Sequence, residues 1–534
     1  MIPTVQILVV LLAIIAAVSW LAARLKIPQA ILLVITGVGL ALVPGLPDVE
    51  LAPELVLLLV LPPVIYSSAV AMSWREFRSN LRPITLLAIG CVVFTTVAVA
   101  AAAHWLLNLS WAVGFVLGAI VSPPDAMAPL SVARRLHLPR RILVVLEGEG
   151  LANDATALIL YRFAIAAVSA GVFSFPEAVG TFAAIVVGEI LWGIAVGWLM
   201  LRLRRWVREP RVEITLSILT PFVAYWPPEH LGGSGVLATV TAGLYISWNG
   251  LRLISAATRL QGIFFWDFLI YAIEGMVFLI TGLQARTLVS RISDDSLPEL
   301  VISAIIVSAV VIVARFVWIY PLTYLPRCFI PAIRQKDPSP PWQGTFVLSF
   351  TGVRGIVSLA AALAIPFATD NGQLFPARDL ILFLTFFVIL VTLVGQGLLL
   401  PSVLKALGVA NAGRREKASD RIEEYRARQQ AIEAALVRLD ELAAERNISE
   451  DLIAPLRALH HDRLEHTINQ SDGDESHRQL TETQDEVELQ MITTERQHIN
   501  ELFRKGKLKD EARRRIEREL DLREAHIANQ HVAE

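Results

Sequence analysis

The chain has 534 residues, of which 54% are hydrophobic and 18% are charged, and its mean hydropathy is +0.56. This composition excludes an ordinary soluble globular protein and is typical of a protein that crosses the membrane many times. The formal net charge of -2, without a basic domain, argues against nucleic-acid binding. Cys91 and Cys328 lie in or beside apolar segments, so the sequence does not indicate a disulfide framework.

The membrane segments are visible as runs of apolar residues. The first residues lack the basic region of a cleaved signal peptide, and the run that ends at Ala23 is long enough to span, so we expect a retained first helix. Runs of about 17 or more residues, together with two shorter runs, predict thirteen spans. Their approximate positions are residues 4–23, 28–44, 52–72, 83–107, 111–132, 141–170, 176–203, 212–226, 233–248, 262–289, 298–325, 343–367 and 379–404.

The loops between these spans differ in basic charge. Loops after odd-numbered spans hold nineteen Lys and Arg residues, and loops after even-numbered spans hold three. Because Lys and Arg collect on the cytoplasmic side, the asymmetry predicts an N-terminus outside and a tail inside. One span miscounted early in the chain would erase the asymmetry, which favours the number thirteen. We therefore expect a multi-pass protein of the plasma (inner) membrane, with a transmembrane domain at 1–410 and a cytoplasmic domain at 411–534.

The segment 411–534 has a different composition, rich in Glu, Arg, Gln, Ala and His. Apolar residues between Ile422 and Leu442 recur at helical spacing, which predicts an amphipathic helical hairpin or a short coiled coil, with a break at 469–474. Seven of the ten histidines lie in this segment. It is either a solvated helical extension or a regulatory element that senses pH through those histidines, and the sequence does not identify a partner for it.

Two predicted spans carry residues that break a helix. Span five contains Val121-Ser-Pro-Pro-Asp-Ala126, in which two adjacent prolines interrupt the helical hydrogen bonds, and span twelve contains Thr351-Gly-Val-Arg-Gly355. Unwound backbone at membrane depth occurs only where it is buried in protein or lines a water-filled cavity. Two broken spans at corresponding positions of the two halves predict an inverted-repeat transporter, in which half-helix ends meet around an ion. The alternative is that each break is a packing kink.

Span six carries three carboxylates, in Glu147-Gly-Glu-Gly-Leu-Ala-Asn-Asp154. A charged side chain at the bilayer centre costs roughly 2.5 to 3.5 kcal/mol, so such residues indicate function. Glu149 lies five residues before Asp154 and faces another direction on a helix. This favours an ion pair between Glu149 and one of two intramembrane cations, Arg315 and Arg354. A buried Glu149–Arg315 pair is a structural brace, because loss of one partner costs about 3 to 5 kcal/mol.

Asp154 is then the carboxylate that is left to exchange its ligand. In a site without water a proton competes with a metal cation for the same carboxylate oxygens, and oxygen ligands suit a hard cation. We expect sodium at Asp154 and Asp125, with Ser122 and Asn153 as further candidates. Two alternatives stay open: Asp125 caps a half-helix N-terminus, and Asn153 hydrogen-bonds the broken span instead of the ion. No resident cofactor is expected beside the transported sodium and proton.

Five segments resemble, in their order along the chain, the signature segments of one family. They are Pro62-Pro63, Ser122-Pro-Pro-Asp125, Glu147 to Asp154, Arg315, and Gly352-Val-Arg-Gly-Ile-Val-Ser-Leu359. The family is that of the monovalent cation/proton antiporters, in the branch of the sodium/proton exchangers. The resemblance covers roughly residues 5–405, and the segments of spans six and twelve together are highly specific.

The resemblance implies a fold and a role for each site residue. The fold is a homodimer in which a dimerisation domain holds a six-helix core domain that moves like an elevator. Asp154 is implied as the carrier carboxylate, and Asn153, in place of a second aspartate, as the mark of electroneutral one-for-one exchange. Glu149 with Arg315 is implied as the brace, and Arg354 as the charge that balances the crossed half-helices.

The chain departs from the family pattern at two places. Relatives commonly have Ser-Pro-Thr-Asp-Pro where this chain has Ser122-Pro-Pro-Asp-Ala126, so a threonine that contributes to ion coordination is replaced. Many carry a glutamate after the aromatic residue of span three, where this chain has Tyr66-Ser67. Both departures bear on the choice of cation. We expect a secondary-active sodium/proton antiporter with a role in pH and sodium homeostasis, and the alternatives are a potassium/proton antiporter of the same fold or a cation channel.

Two other features bear on the class of function. The ionisable residues cluster at one depth, which favours a single occluded site over the continuous polar path of a channel. The spans contain neither His-x-x-x-His nor Gly-x-Ser-x-Gly, so an intramembrane enzyme is not expected. Glu274 faces either an ion funnel between domains or a water-filled groove, and the sequence does not choose between them. The same two alternatives apply to Glu189.

Overall fold

A computed structural model describes residues 2–44, 52–170, 175–207, 209–250, 253–290, 297–337, 339–369, 372–471 and 475–532. These residues are almost entirely helical. They form two compact units, Met1–Arg414 and Arg415–Glu534.

The first unit is built of long helices joined by short connections. Its helices are α1 (Ile2–Leu25), α2 (Gln29–Ala41), α3 (Pro53–Ala71), α4 (Trp74–Ser79), α5 (Leu81–Leu107), α6 (Trp111–Val121), α7 (Met127–Arg135), α8 (Arg140–Ala170), α9 (Phe175–Arg204), α10 (Pro210–His230), α11 (Val236–Asn249), α12 (Ala256–Ser290), α13 (Leu297–Phe329), α14 (Pro331–Lys336), α15 (Trp342–Phe350), α16 (Ile356–Leu363) and α17 (Arg378–Ala406).

Eight helices of the described residues are long and apolar enough to cross a membrane, namely α1, α3, α5, α8, α9, α12, α13 and α17. The prediction of an all-helical chain with many membrane spans is therefore confirmed. A helix, or a pair of shorter helices, also lies at each of the thirteen apolar runs. Thirteen full crossings remain a prediction.

Two of the runs are interrupted where the sequence places proline and glycine. Helix α6 ends at Val121 and α7 begins at Met127, with two prolines between them, whereas α15 ends at Phe350 and α16 begins at Ile356. The two unwound segments meet, because the backbone N–H of Asp125 donates to the carbonyl of Val353 at 2.6 Å. Backbone groups that a continuous helix would satisfy are thus partly satisfied between the two breaks.

Packing sorts the helices of this unit into two groups. The seven-helix group consists of α1, α2, α3, α9, α10, α11 and α12. The six-span group consists of α5, α6 with α7, α8, α13, α15 with α16, and α17. The broken runs and α8, which carries the acidic segment, therefore belong to the same group.

Within the seven-helix group, α2 and α12 approach each other through glycine. A Cβ on Gly37 would lie 2.3 Å from the carbonyl oxygen of Leu279, and a Cβ on Gly282 would lie 2.3 Å from that of Val34. Small residues let membrane helices pack at backbone distance. This contact holds α12 next to α2 along one wall of the cavity described below.

Outside the spans, an ion pair joins α4 to the beginning of α8. The Glu76 carboxylate accepts hydrogen bonds from Nε and Nη2 of Arg140, at 2.8 and 2.6 Å. Hydrogen bonding to the Arg140 guanidinium holds the pKa of Glu76 below its usual value. The pair fixes the basic end of α8 against the preceding short helix.

The tail contains more helices than the single hairpin expected from sequence. They are α18 (Val409–Arg446), α19 (Glu450–Ser471), α20 (Glu475–Arg504) and α21 (Asp510–Val532). The break expected at 469–474 falls partly on residues 472–474, which lie outside the described residues. A packed hairpin occurs between α20 and α21, with Ile492, Leu520 and Ile527 at its core, while Ile422 on α18 is exposed. The expected helix at 422–442 is present, but the hairpin lies later in the chain.

Candidate ion-binding site

A cavity of about 500 Å³ lies between the two helix groups. The seven-helix group contributes α2, α3 and α12 to its wall, and the six-span group contributes the unwound segment before α7, parts of α7 and α8, and the beginning of α16. The ionisable side chains that line it are Asp125, Arg134, Glu147, Asp154, Asp267 and Glu274. Acidic residues thus outnumber the single lining arginine, which favours a cation over an anion in this space.

Asp154 lies in the middle of α8 and contributes to the cavity wall. Among the described residues, no hydrogen bond or ion pair to its carboxylate is present. Glu147, seven residues earlier and on the same face of the helix, is paired with Arg134 at 2.6 Å. Asp154 is therefore available to bind a ligand from the cavity.

Asp125 lies in the unwound segment between α6 and α7 and also lines the cavity. Its Oδ1 accepts a hydrogen bond from the N–H of Met127 at 2.8 Å, which caps the beginning of α7. Its other oxygen lies against Gly355, the residue before α16, where an added Cβ would be 1.8 Å from Oδ2. The carboxylate thus stands at the N-terminal ends of two half-helices, and only glycine permits this approach at position 355.

Asn153 and Ser122 are turned toward the protein and are not part of the cavity lining. The Asn153 amide donates to the carbonyl of Pro124 at 2.6 Å, which ties α8 to the broken run. Its Oδ1 is buried and has no hydrogen-bond partner within the part of the chain that the structure describes. The Ser122 hydroxyl donates to the carbonyl of Ala119 at 3.2 Å. Of the four expected ion ligands, the structure brings Asp154 and Asp125 to one cavity, and it places the other two behind its wall.

Glu149 and Arg315 form a buried ion pair. Nη2 of Arg315 donates to Oε2 of Glu149 at 2.7 Å, Nη1 donates to Oε1 at 2.5 Å, and the two side chains are 3% and 1% exposed. Nε of Arg315 also donates to the carbonyl of Leu348 at 3.0 Å. The arginine therefore links α8, α13 and α15 with three nitrogen atoms. This two-point contact between guanidinium and carboxylate is the strong form of such a pair.

Arg354 lies in the second unwound segment, between α15 and α16. Its guanidinium donates to backbone carbonyls. Nε donates to the carbonyl of Val121 at 2.9 Å, Nη2 donates to the carbonyl of Ser122 at 3.4 Å, and Nη1 donates to the carbonyl of Gly352. Its backbone N–H donates to the hydroxyl of Thr392 at 2.9 Å. The positive charge thus lies at the C-terminal end of α6, where the unsatisfied carbonyls carry partial negative charge.

An ion pair that the sequence analysis missed connects the two helix groups. Arg162 on α8 donates to Glu229 near the end of α10, and both side chains are partly buried. Arg162 lies within span six, so Arg315 and Arg354 are not the only intramembrane cations. Arg162 comes eight residues after Asp154, toward the end of α8. Glu147 and Arg134 line the cavity toward the beginning of α8. The presence of an arginine inside the span was the signal that could have found this pair.

The structure also separates the roles of two acids that the sequence left open. Glu274 lines the same cavity as Asp154. Glu189 is buried and accepts hydrogen bonds from the backbone N–H groups of Ser234, Gly235 and Leu237, at 2.6, 3.2 and 3.1 Å. Glu189 thus satisfies the free N–H groups at the beginning of α11.

The sequence from residue 8 to residue 406 matches the family model described as sodium/hydrogen exchanger, transmembrane. The chain belongs to the sodium/hydrogen exchanger family. It is thus a membrane antiporter of the sodium/proton exchange class, and it is not an enzyme. The resemblance that the signature segments predicted is confirmed.

Similar proteins cover most of the chain. An uncharacterized Na(+)/H(+) exchanger of Mycobacterium tuberculosis is 36% identical over 99% of this chain and 97% of its own length. The Na(+)/H(+) antiporter ApNhaP of Aphanothece halophytica is 32% identical over 78% of this chain and 76% of its own. A sodium, potassium, lithium and rubidium/H(+) antiporter of Bacillus subtilis is 33% identical over 70% of this chain and 57% of its own.

The fold is shared with a solved structure. The sodium proton antiporter MjNhaP1 of Methanocaldococcus jannaschii at pH 8 superposes with a TM-score of 0.60, at 17% sequence identity. The match covers 77% of this chain and 98% of the other chain. The similarity therefore extends over essentially the whole of the other protein.

Proposed function

We propose that this member of the family exchanges one sodium ion for one proton, and that both compete for the carboxylate of Asp154. Asp125 completes the site from the unwound segment. The exchange is electroneutral and serves pH and sodium homeostasis. The sodium ion is cargo, so it is bound only while it is carried.

The observation that carries this proposal is the contrast between Asp154 and the acids near it. Glu147 is paired with Arg134 and Glu149 is paired with Arg315, while the Asp154 carboxylate faces the cavity without a protein partner among the described residues. An unpaired carboxylate is costly inside a membrane unless it binds an ion or a proton. Exclusive binding of one or the other couples the two fluxes.

Alternating access follows from the arrangement of the two helix groups. The cavity reaches Asp154 from the side of Glu147, and the Arg162–Glu229 pair joins the groups on the other side. We infer that the six-span group, which carries Asp154, slides against the seven-helix group like an elevator. The contact between the breaks, from Asp125 N–H to Val353, supports movement of the broken runs as one body.

The topology of the proposal rests on the loops. Thirteen spans with inverted repeats place the nineteen basic loop residues inside, which gives an N-terminus outside and a cytoplasmic tail in the plasma (inner) membrane. The transmembrane domain is then 1–410, and the helical tail is 411–534. The family likeness supports a homodimer held together by the seven-helix group.

A potassium/proton antiporter with the same site is the second candidate. The relative from Bacillus subtilis is named for potassium, lithium and rubidium as well as sodium. Pro124 stands where relatives commonly carry threonine, and its carbonyl is engaged by Asn153. A site with fewer side-chain ligands selects less strictly by ion size, which favours a broader range of alkali cations.

The test is pH-gradient collapse in proteoliposomes, titrated separately with sodium, lithium and potassium salts. The parent chain should collapse the gradient only when a cation is added, at a rate that does not change with an imposed membrane potential. Asp154→Asn should reduce exchange to the liposome background, because the amide has no negative charge and cannot take up and release the proton. Glu299→Gln, a matched change on an exposed residue at the start of α13, should leave exchange intact. Cation-dependent proton flux in Asp154→Asn at the parent rate would contradict the assignment.

A further inference from the structure

A second cavity of about 570 Å³ lies within the six-span group, away from Asp154. Its wall is formed by α5, α8 and α13, by the segment that leads into α15, and by residues 407–412 after α17. A volume between about 300 and 1,000 Å³ is typical of sites for small organic ligands. We call this cavity the arginine pocket, because Arg82, Arg141 and Arg327 line it.

The three arginines mark one end of the arginine pocket as its membrane-interface end. Arg82 is the second residue of α5, Arg141 is the second residue of α8, and Arg327 is in the last turn of α13. Helix ends of membrane spans lie at the headgroup level, and basic residues there meet the phosphates of lipids. The positive end of the pocket is therefore at the depth of lipid headgroups.

The wall becomes apolar one turn away from each arginine. Leu86 follows Arg82 by four residues, Val145 follows Arg141 by four, and Leu322 precedes Arg327 by five, and all three apolar residues line the same pocket. A displacement of four residues along a helix is about 6 Å. The pocket is thus cationic at the headgroup level and apolar toward the membrane interior. This arrangement complements an anionic lipid, whose negative headgroup and apolar chains lie at the same two depths.

The charges at this end are only partly balanced by the protein. Asp337 accepts from Arg141 at 2.7 Å and from Arg327 at 2.5 Å. Partial burial raises the pKa of Asp337, but hydrogen bonds and charge from the two arginines outweigh it and hold the pKa below its usual value. The pocket lining therefore holds three guanidinium groups and one carboxylate, which contacts two of them. The Arg82 side chain is exposed and makes no hydrogen bond or ion pair with the described residues.

We propose that the arginine pocket binds one anionic phospholipid, with its phosphate at Arg82 and Arg141 and one acyl chain along the apolar wall. Basic pockets between membrane helices are recognised sites for anionic headgroups, and a guanidinium fork matches phosphate oxygens. Part of the wall is the stretch 407–412, which follows the last span. A bound lipid therefore fixes the connection that leaves the membrane.

The test uses the purified full-length protein in a neutral detergent and measures thermal unfolding during titration with lipid. Phosphatidylglycerol should raise the unfolding temperature of the parent chain in a saturable way, and phosphatidylcholine should not. Arg82→Gln should raise the half-saturating concentration roughly fivefold to tenfold, since an arginine near a headgroup contributes about that factor. Arg82→Lys, which keeps the charge, should recover most of the affinity.

Two matched variants separate specific binding from general charge. Arg78→Gln removes an exposed arginine one turn before α5 that does not line the pocket, and it should bind phosphatidylglycerol like the parent. Leu322→Trp fills the apolar wall without changing charge, and it should abolish the lipid-induced shift.

Three results would overturn the proposal, and none depends on transport. They are an equal shift with phosphatidylcholine, unchanged affinity in Arg82→Gln, and a full shift produced by inorganic phosphate alone. The last result would assign the pocket to a soluble anion instead of a lipid. If the proposed exchange at Asp154 proved wrong, the lipid-binding measurements would not be affected.

Discussion

At the residue scale, charge inside the membrane domain is tolerated in three different ways. Arg315 is neutralised by Glu149, which is a pair removed from water. Arg354 is neutralised by carbonyl dipoles at the ends of two half-helices. Asp154 remains without a protein partner among the described residues and faces the cavity. Because only the last arrangement leaves room for a ligand, we propose structural roles for Arg315 and Arg354 and a transport role for Asp154.

The brace role of Glu149 can be measured by stability. Glu149→Gln leaves the Arg315 charge buried without compensation, so we expect a loss of about 3 to 5 kcal/mol and a clearly lower unfolding temperature. Glu147→Gln is the matched control on the same helix, because its partner Arg134 is 62% exposed and such pairs contribute about 0 to 1 kcal/mol. Thermal unfolding of both variants in detergent provides the comparison. Equal unfolding temperatures for the two variants would remove the brace assignment.

The sequence predicted the partner of Glu149 but not the orientation of its neighbours. Charge neutralisation left two candidate partners, Arg315 and Arg354, and the family resemblance implied Arg315. Asn153 and Ser122 carry oxygen atoms that suit a cation equally well from sequence. Whether an oxygen faces the cavity or a backbone group depends on the rotation of its helix, and that is set by contacts such as Asn153 to Pro124, which are 29 residues apart.

At the element scale, α8 has a different environment at each end. Toward its beginning it borders the cavity, where Glu147 and Arg134 lie. Toward its end, Arg162 pairs with Glu229 on α10, which belongs to the other helix group. In the proposed elevator movement the two groups slide and this pair separates, so we expect the pair to stabilise the present conformation relative to the one that is open on the Arg162 side.

Removal of the Arg162–Glu229 pair should therefore favour the conformation that is open on the Arg162 side. Leu158 lies one turn after Asp154 on the same face of α8. The background chain has Cys91 and Cys328 replaced by serine and carries Leu158→Cys as the labelling site. An impermeant maleimide is applied from outside. Glu229→Gln should increase the labelling of this chain about fivefold, which corresponds to about 1 kcal/mol.

A matched change at the other end of α8 supplies the control. Glu147→Gln removes an ion pair on the cavity side and should not increase labelling of Leu158→Cys from outside. Labelling that is the same with and without Glu229→Gln would show that the Arg162–Glu229 pair does not hold the Arg162 side closed.

At the scale of the whole molecule, the chain divides into a membrane unit and a polar helical unit, Arg415–Glu534. The second unit has its own small apolar core, at Ile492, Leu520 and Ile527 between α20 and α21. This core packs α20 against α21 within the second unit. Local stability in the two units is therefore expected to respond separately to mutation.

Hydrogen exchange of the full-length protein tests this separation. Leu520→Ala should cost about 2 to 5 kcal/mol locally, because Leu520 is 2% exposed, and it should speed amide exchange within residues 475–532. Exchange in α8 should not change. Leu522→Ala, at a position that is 67% exposed, is the control and should change amide exchange neither within residues 475–532 nor in α8. Faster exchange in α8 after Leu520→Ala would show that the units do not respond separately.

The helices of this protein and the two breaks could be predicted from local sequence patterns. Long apolar runs become helices because a membrane leaves backbone groups no other partners, and the breaks at residues 122–126 and 351–355 follow from proline and glycine. The acidic segment of span six and the family were also readable, since both depend on residues that are close in the chain or fixed in order.

The contacts between residues far apart in the chain could not be predicted in this way. Glu189 binds backbone groups 45 residues away, Arg162 pairs with Glu229 at a separation of 67 residues, and Asp125 faces Gly355. No local pattern fixes such contacts, because they depend on how helices rotate and pack. The same packing creates the cavity at Asp154 and the arginine pocket, neither of which exists along a single helix.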